Sequence, residues 1–451
     1  MAVLKRPRTP VNWRLPLLAV AQKSWLSQTN LPVPLTVRVR MSSQQPVILQ
    51  PSRRGTEAQA SPIRRLSPYA DAAKARGRQV FHLNIGQPDI PTPAHMLDAY
   101  RNYADAVLAY GASEGSAAYR TALAKYYNAL KPDAKVKPLQ PGEILVTVGG
   151  SEALQFAIAA TCDVGDEILV AEPFYPNYRG FAHTLGVQTR AITTTAEDGF
   201  QLTAAQVRAA IGPRTRALLI STPGNPTGAV LDAKNLREIG LACKEAGIFL
   251  VSDEVYRDFV YDGSGRAASI LSEPDLETCA IQIDSVSKRY SACGARVGCL
   301  VTRNPEIYAV ALKFAQCRLS PPVVDQLAAL AALATPQEET DAHIADYKKR
   351  RDTLVAGLRA IPGVRAQTPA GAFYLIVELP VDDAEKFCIW MLSEFALENQ
   401  TVMLAPADGF YVTPGLGKQQ VRAAYVLEVE KLATACRILR AGLEAYPGRI
   451  G

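Results

Sequence analysis

The chain has 451 residues, of which 48% are hydrophobic and 20% are charged, and its formal net charge is +6. This length favours two domains, since single hydrophobic cores stop growing near ~250 to 300 residues. Its apolar stretches, such as residues 15–21 and 327–334, fall short of the ~18 residues that a membrane span needs. We therefore expect a globular protein without a membrane partner.

The positive charge is concentrated at the start of the chain. Residues 1–56 contain Lys and Arg but no Asp or Glu, so the remaining residues hold slightly more acids than bases. This distribution argues against a general nucleic-acid surface. A basic, acid-free leader rich in Ser and Pro is typical of a transit peptide. We expect residues 1–58 to be a targeting or disordered leader for plastid or mitochondrion, or, if translation starts at Met41, the protein to be cytoplasmic.

The cysteines and histidines are not spaced as in a metal-binding motif or a disulfide-rich domain. The chain has eight cysteines and four histidines, and they are scattered without a CxxC pair. We therefore expect neither a disulfide scaffold nor a bound metal.

Folding signals begin near residue 60. Residues 61–77 predict a helix that starts at a Ser-Pro pair and ends at Gly77, and residues 80–85 alternate like a strand. From about 105 to 320, short apolar runs alternate with helical stretches. These runs are residues 143–148, 166–171, 215–222, 247–254 and 279–284. Strands that are apolar on both faces predict a parallel sheet between helices.

The C-terminal part follows a different pattern, typical of an α+β layer. It alternates predicted helices and strands, at residues 345–361, 372–379, 382–395 and 421–428, before a last helix. We expect a small domain formed by both ends of the chain and a large domain between them. The expected ranges are 59–100 and 336–451 for the small domain and 101–335 for the large one.

Polar side chains follow three of the predicted strands. Asp253, Lys288 and Asn225 each come just after an apolar run, and ligands of open parallel sheets bind at the carboxyl ends of strands. Taken alone, such an aspartate is usually a helix cap and such a lysine a surface charge. Together they meet the needs of pyridoxal phosphate, which requires a lysine for a Schiff base, a carboxylate for its ring nitrogen, and hydroxyls, amides and an arginine for its phosphate.

Four motifs carry a family resemblance. The segments "VTVGGSEAL", "TPGNPTG", "VSDEVY" and "SVSKRYSACGARVG" resemble those of the class I/II aminotransferases of fold type I, with wording closest to bacterial-type aspartate aminotransferases. The resemblance runs from about Ser61 to the C-terminus. It implies an α/β fold with a large domain, whose mostly parallel seven-stranded sheet lies between helices, and a smaller α+β domain. It also implies pyridoxal 5'-phosphate as cofactor, amino-acid and 2-oxo-acid substrates, and a homodimer.

The resemblance also implies roles for the cofactor-contacting residues. Lys288 would form the Schiff base and then move a proton between the substrate α-carbon and the cofactor. Asp253 would hold the protonated ring nitrogen, while Asn225 and Tyr256 would bond the phenolic oxygen. The expected phosphate ligands are the amides of Gly150 and Ser151, the hydroxyls of Ser285 and Ser287, and the guanidinium of Arg296.

Four further residues match family positions. Tyr175 would stack on the cofactor ring, and Tyr110 would reach the phosphate in the partner subunit. Arg422 would bind the substrate α-carboxylate through its guanidinium fork, with the backbone of Gly86 beside it. The ordinary alternatives are packing for the two tyrosines, a surface charge for the arginine and a simple turn for the glycine.

The substrate side chain is the least determined part of the prediction. One aspartate-specific branch of the family has a lysine in "GGKQAL", where this chain has Ser151. We therefore consider Arg318, which precedes "SPP", as a hypothetical reader of a distal carboxylate, with a surface or loop arginine as the alternative. Aspartate with 2-oxoglutarate is the expected substrate pair. Transamination of prephenate, aromatic amino acids or alanine, a lyase of the same fold, and a non-catalytic regulator remain alternatives.

Overall fold

The computed structural model describes residues 49–130 and 135–450. Most of the predicted leader falls on residues 1–48, outside the described residues. A compact unit begins at Ser52, before the predicted leader ends at residue 58. Its first helix, α1 (Arg53–Glu57), is attached to the body through Arg54, whose guanidinium donates to the carbonyl of Thr184 at 3.0 Å.

The predicted N-terminal helix is shorter than its sequence pattern. Helix α2 (Ser67–Ala75) begins at the second Ser-Pro pair, and residues 62–66 form turns instead. Gly77, at φ +79°, follows its end, as expected for a glycine that stops a helix. Strand β1 (Gln79–His82), helix α3 (Ala94–Arg101) and helix α4 (Ala117–Leu130) come next.

Seven strands form the largest sheet of the described residues. They are β2 (Ile144–Val148), β3 (Glu167–Glu172), β4 (Gln188–Thr193), β5 (Thr215–Ser221), β6 (Phe249–Asp253), β7 (Ala280–Ser285) and β8 (Val297–Val301). Their order is β2-β8-β7-β6-β5-β3-β4. All neighbours are parallel except β8, which is antiparallel to both β2 and β7. The mostly parallel seven-stranded sheet is therefore confirmed.

Helices cover both faces of this sheet. They are α5 (Gly149–Thr161), α6 (Asn177–Leu185), α7 (Ala204–Ala210), α8 (Ala233–Glu245), α9 (Val286–Arg289), α10 (Pro305–Arg318) and α11 (Val323–Ala332). Successive strand residues serve opposite faces: Leu218 packs in the cluster that contains α7 and α8 residues, and Leu219 in the one that contains α5 and α6 residues. Because both faces are buried, the strands read as continuous apolar runs.

The C-terminal elements build a second layer. They are α12 (Gln337–Arg359), β9 (Arg365–Ala366), β10 (Tyr374–Glu378), α13 (Ala384–Ser393), β11 (Gln400–Met403), β12 (Ala405–Pro406), β13 (Gln420–Ala424) and α14 (Val429–Ala445). Four of these strands form an antiparallel sheet in the order β12-β13-β10-β9, while β11 pairs in parallel with β1. The residues from Ser52 onward form one compact unit, and the domain boundaries at 100 and 335 remain predictions.

Five short 3-10 helices complete the elements of the described residues. The 3-10 helices lie at Pro141–Glu143, Ile270–Ser272, Pro274–Leu276, Cys293–Ala295 and Asp408–Phe410. Among residues 49–130 and 135–450, no helix is both long and apolar enough to cross a membrane. The same part of the chain contains no group of three or more His, Cys, Asp or Glu residues placed to hold a metal ion.

Candidate active site

Lys288 lies at the carboxyl edge of the central sheet. Strand β7 is buried throughout and ends at Ser285, whose hydroxyl accepts the backbone N–H of Ser287 and thereby caps the short helix α9. This turn directs Lys288 away from the strand, and its Nζ donates to the carbonyl of Gly86 at 2.9 Å. The ammonium also lies 5.8 Å from the ring centroid of Tyr256. The lysine therefore lies among other predicted site residues.

Asp253 supplies a buried carboxylate at the end of the neighbouring strand β6. Its Oδ2 accepts a hydrogen bond from the hydroxyl of Tyr178 at 2.7 Å, and its Oδ1 accepts a longer one, 3.4 Å, from the N–H of Val255. Burial raises the pKa of this carboxyl to about 6, although both hydrogen bonds act in the opposite direction. A buried carboxylate that forms no ion pair among the described residues is suited to a cationic ligand such as a protonated ring nitrogen.

The start of α5 and the residues after β7 form an anion cradle. Gly149 has φ +70°, and a Cβ at this position would lie 2.6 Å from Nη2 of Arg296. The hydroxyls of Ser285 and Ser287 are 2.8 Å apart. Hydroxyls, a guanidinium and the N–H groups of a helix start therefore lie close together, as phosphate binding requires. Gly150 and Ser151, the predicted amide donors, lie in the first turn of the same helix.

Arg422 is a buried cation with incomplete hydrogen bonding. It lies on β13 with only 1% of its surface exposed, between the rings of Tyr374 and Phe410, whose centroids are 4.4 and 5.1 Å away. Nη1 donates to Oδ1 of Asn225 at 2.9 Å and Nη2 to the carbonyl of Asn84, whereas Nε has no partner within the described residues. Burial lowers the pKa of this guanidinium. A carboxylate would supply the negative charge and the acceptor that this side chain lacks.

Gly86 is required by close contact and not by a turn alone. A Cβ at this position would lie 1.8 Å from the hydroxyl oxygen of Tyr374, so any larger residue would displace that ring. The Tyr374 hydroxyl in turn lies 2.8 Å from the Tyr256 hydroxyl. The glycine therefore lets the backbone approach both the cofactor lysine and the aromatic ring that covers Arg422.

The two remaining tyrosines of the prediction have different surroundings. Tyr175 is half-buried, packs edge-on against Tyr178 with ring centroids 5.5 Å apart, and accepts a hydrogen bond from Asn177 at 2.8 Å. Tyr110 is 82% exposed, beside the exposed Val107 and Leu108. The structure thus brings Tyr175 to the site through Tyr178 and Asp253, while the role of Tyr110 in a partner subunit stays a prediction.

The structure does not support Arg318 as the reader of a distal carboxylate. Its Nε lies 3.2 Å from both carboxylate oxygens of Glu152, in the first turn of α5. Its two other nitrogens donate to the carbonyls of Ser113 and Val146, at 3.2 and 3.1 Å. Because every guanidinium nitrogen has a partner in its own chain, these contacts favour the alternative of a loop arginine that holds the α5 start in place, and the reading of a distal carboxylate by Arg318 stays a prediction.

Four residues of the site were not predicted from the sequence. Tyr178 holds Asp253, Tyr374 and Phe410 enclose Arg422, and Asn84 links Arg422 to the N-terminal segment through its carbonyl. The signal of Tyr374 was weak, because an aromatic residue inside an apolar run is usually a core residue, and Tyr178 and Phe410 lie in segments without a recognisable pattern. Asn84, a polar residue directly after a strand, had the clearest signal of the four.

A buried ion network lies behind the lysine helix. Oδ2 of Asp284 accepts hydrogen bonds from Arg289 at 2.9 Å and from the Tyr127 hydroxyl at 2.8 Å. Asp258 forms a second ion pair with Arg289. Burial alone would raise the pKa of the Asp258 carboxyl, but the surrounding arginines hold it well below its usual value. The network therefore holds Arg289, the residue directly after Lys288, in a fixed position.

The donor set fits pyridoxal phosphate. Lys288 would provide the amine and Asp253 the carboxylate for the ring nitrogen, and both follow the ends of adjacent parallel strands. In the cradle of Gly149, Ser285 and Arg296, the absence of a Cβ at Gly149 lets the Arg296 guanidinium lie against the start of α5. These residues would hold the aldehyde end, the ring nitrogen and the phosphate of the cofactor.

Comparison with known proteins gives one consistent family. The family model "Aminotransferase class I and II" matches residues 78–439. The chain is 30% identical over 386 residues, 84% of its length and 95% of the relative's, to aspartate aminotransferase of Geobacillus stearothermophilus. It is 33% identical over 313 residues, 68% of its length and 78% of the relative's, to aspartate/prephenate aminotransferase of Thermus thermophilus.

Solved structures agree with this result. An aspartate aminotransferase of Thermus thermophilus with maleate matches with a TM-score of 0.78 and 29% identity, covering 88% of this chain and all of the other. An alanine aminotransferase of Pyrococcus furiosus matches with a TM-score of 0.79 at the same identity and coverage. The family match spans most of the chain, and the predicted cofactor residues lie together at one sheet edge. This chain therefore belongs to the class I and II aminotransferases, enzymes that depend on pyridoxal phosphate.

Proposed function

We propose that this aminotransferase moves the amino group of aspartate to a 2-oxo acid such as 2-oxoglutarate. The observation that carries the proposal is Arg422, a buried guanidinium whose Nε lacks a partner in the described residues, because it suits the α-carboxylate shared by amino and 2-oxo acids. The preference for aspartate is supported by the names of the relatives, several of which are called aspartate aminotransferases.

The residues of the chain divide the work of the reaction. When bound, pyridoxal phosphate supplies an electron sink for the bonds of the substrate α-carbon. Arg422 binds the substrate carboxylate, and Asn225, hydrogen-bonded to Nη1, keeps the guanidinium in position. Lys288 acts as a positioned general base and acid: it takes the proton from the substrate α-carbon and donates it to the cofactor. Asp253 stabilises a protonated ring nitrogen by its negative charge.

Tyr256 and Tyr374 form a pair beside this chemistry. Their hydroxyls are 2.8 Å apart, and burial raises the pKa of Tyr256 well above its usual value. The Tyr256 phenol therefore stays protonated at neutral pH and can donate a hydrogen bond to an oxygen of the cofactor ring. Tyr374 fixes the orientation of that hydroxyl.

Alternative substrates remain within the same chemistry, alanine as an amino donor and prephenate as an amino acceptor. The likeness to an alanine aminotransferase and to aspartate/prephenate aminotransferases supports alanine or prephenate as second candidates. A lyase activity of the same fold would use the same lysine and carboxylate. These substrates differ in the side chain that the pocket must accept, and not in the groups that hold the α-carboxylate.

We also propose that the active unit is a homodimer. Val107, Leu108 and Tyr110 expose 74%, 65% and 82% of their surfaces, and an exposed apolar run of this kind marks a contact surface. Light scattering of the purified protein would give the mass of a dimer. Tyr110→Phe should lower the affinity for pyridoxal phosphate without altering that mass, whereas unchanged cofactor affinity would contradict the role given to the Tyr110 hydroxyl.

An absorbance titration tests the substrate proposal. The purified holoprotein is mixed with single amino acids, and the band of the bound cofactor is followed. Aspartate should shift the band at the lowest concentration, and 2-oxoglutarate should restore it, with transfer measured as glutamate formed. A stronger response to alanine or to an aromatic amino acid would replace aspartate as the donor. A band that no amino acid shifts would refute the proposal.

A further inference from the structure

The N-terminal segment 61–67 runs beside the carboxylate-binding arginine. The carbonyl of Ile63 accepts a hydrogen bond from the side chain of Asn84 at 2.9 Å, and the carbonyl of the same asparagine accepts one from Arg422. Ile63 also packs against the cluster that contains Phe410, one of the two rings that enclose Arg422. One residue, Asn84, thus connects the segment to the substrate arginine.

The segment is anchored on its other side as well. Nε of Arg65 forms an ion pair with Glu385 at 2.8 Å, and its Nη2 forms another with Asp408. Arg64 lies between Ile63 and Arg65. Because the contacts of both neighbours hold them in place, the backbone of Arg64 is held as well, and its side chain is the part that can reach a ligand.

Arg64 is an exposed cation without a carboxylate partner in the described part of the chain. Its position relative to the site follows from the adjacent Ile63, which is hydrogen-bonded to Asn84 and packs against the cluster of Phe410, and the charges around Tyr175 agree with this placement. Burial raises the pKa of the Tyr175 phenol to about 12, while the positive charges of both Arg422 and Arg64 oppose that rise. The two arginines therefore act on the same tyrosine, which the structure brings to the site through Tyr178 and Asp253.

The other cations of the site are already engaged. Arg318 is held by Glu152 and two carbonyls, and Arg296 lies at the phosphate cradle. Arg422 suits one carboxylate of a substrate. A second carboxylate on the same substrate would therefore need a different cation, and Arg64 is available for it.

We propose that Arg64 binds the second carboxylate of a dicarboxylic substrate and thereby sets the preference for four- and five-carbon amino diacids over monocarboxylic amino acids. The inference rests on the proposed function for the reaction itself, and it adds the residue that reads the substrate side chain. Guanidinium suits this role, since its fork matches two carboxylate oxygens and strengthens when the ligand excludes water. Asn84, which contacts both arginine-bearing segments, keeps the two carboxylate sites at a fixed separation.

The test compares a diacid with a monoacid of equal length. Succinate and butyrate lack an amino group and cannot react, so calorimetric titration of the holoprotein measures binding alone. The wild type should bind succinate about 10- to 100-fold more tightly than butyrate, as one charge-assisted contact implies. Arg64→Gln should abolish that preference, and Arg64→Lys should keep part of it. Arg216→Gln, which removes an exposed arginine at the amino end of β5, should keep all of it.

Turnover gives the second measurement. Arg64→Gln should lower kcat/KM for aspartate about 10- to 100-fold and leave kcat/KM for alanine within about threefold of the wild type. The melting temperature should be unchanged, because the altered side chain is exposed.

The two measurements separate the possible failures. An unchanged succinate preference in Arg64→Gln, or no such preference in the wild type, would overturn the inference, even if aspartate is a good substrate. A preference that depends on Arg64 in a protein that does not transaminate aspartate would uphold the inference and refute the proposed substrate.

Discussion

Asp253 should make the cofactor-free protein less stable at neutral pH than a neutral replacement would. The pKa of its buried carboxyl is about 6, against 3.8 for an ordinary aspartate. This difference corresponds to about 3 kcal/mol between the two protonation states. Because the folded state favours the protonated form, the contribution of this group to stability is fully present below pH 3.8 and is lost as the pH rises through about 6.

Asp253→Asn tests this reasoning, since asparagine stays neutral and keeps an oxygen that can accept from Tyr178. We expect the cofactor-free variant to have a larger free energy of unfolding than the wild type at pH 8, by up to about 3 kcal/mol. The advantage should be smaller at pH 5, by about 1.4 kcal/mol. Urea unfolding of both proteins at equal concentration, followed by circular dichroism, measures the two differences.

The control is Asp71→Asn, which alters an exposed carboxylate on α2. Its stability relative to the wild type should change little between pH 5 and pH 8. Addition of pyridoxal phosphate should reverse the order for Asp253→Asn, because the wild-type carboxylate then meets a positive ring nitrogen. An Asp253→Asn protein that is less stable at pH 8, or an advantage independent of pH, would refute the assignment of a desolvated carboxylate at this position.

Three further predictions concern single side chains of the site. Lys288→Ala should retain cofactor only weakly and lose turnover by a factor on the order of 10² to 10⁴ or more, measured by glutamate formation; near-native turnover would contradict its role as base. Arg422→Lys should lower kcat/KM for amino acids about 10- to 100-fold, because a point charge replaces a planar fork, and an unchanged value would place the α-carboxylate elsewhere. Gly86→Ala should lower both melting temperature and kcat/KM, since its Cβ would lie 1.8 Å from the Tyr374 hydroxyl oxygen. An unchanged melting temperature would contradict this reasoning, because it would show that the Tyr374 ring, whose Cζ and Cε1 would lie 2.2 and 2.3 Å from that Cβ, moves aside at no cost.

The cofactor site could be predicted from sequence because its residues are local or follow strands. Ser285, Ser287, Lys288 and Arg296 lie within twelve consecutive residues, so one motif identifies them together. Asp253 follows a neighbouring parallel strand, and the ends of such strands meet at one edge of the sheet. The sheet itself could be predicted because strands that are buried on both faces appear in the sequence as continuous apolar runs.

Other features depended on contacts that no local pattern contains. Strand β4 is an edge strand with partly exposed residues, so its apolar signal is weak. Arg318 precedes a proline turn, but its sequence position does not reveal that Glu152 lies within ion-pair distance. Tyr374 looks like a core residue of a strand, and its contact with Arg422 comes from the antiparallel pairing of β10 with β13.

The parallel pairing of β1 with β11 has a consequence for how the chain matures during synthesis. Gln79 lies opposite Gln400, and His82 opposite Met403. Strand β1 therefore cannot form this pairing until β11 has been synthesised. Arg422 is translated later still, and it contacts Asn84, just beyond β1. A nascent chain that has reached residue 320 already holds Lys288, Asp253 and the phosphate cradle, but it has no carboxylate pocket. The residues for the cofactor are therefore synthesised before the arginine for the substrate carboxylate. A chain that terminated between them would contain the cofactor residues and lack Arg422.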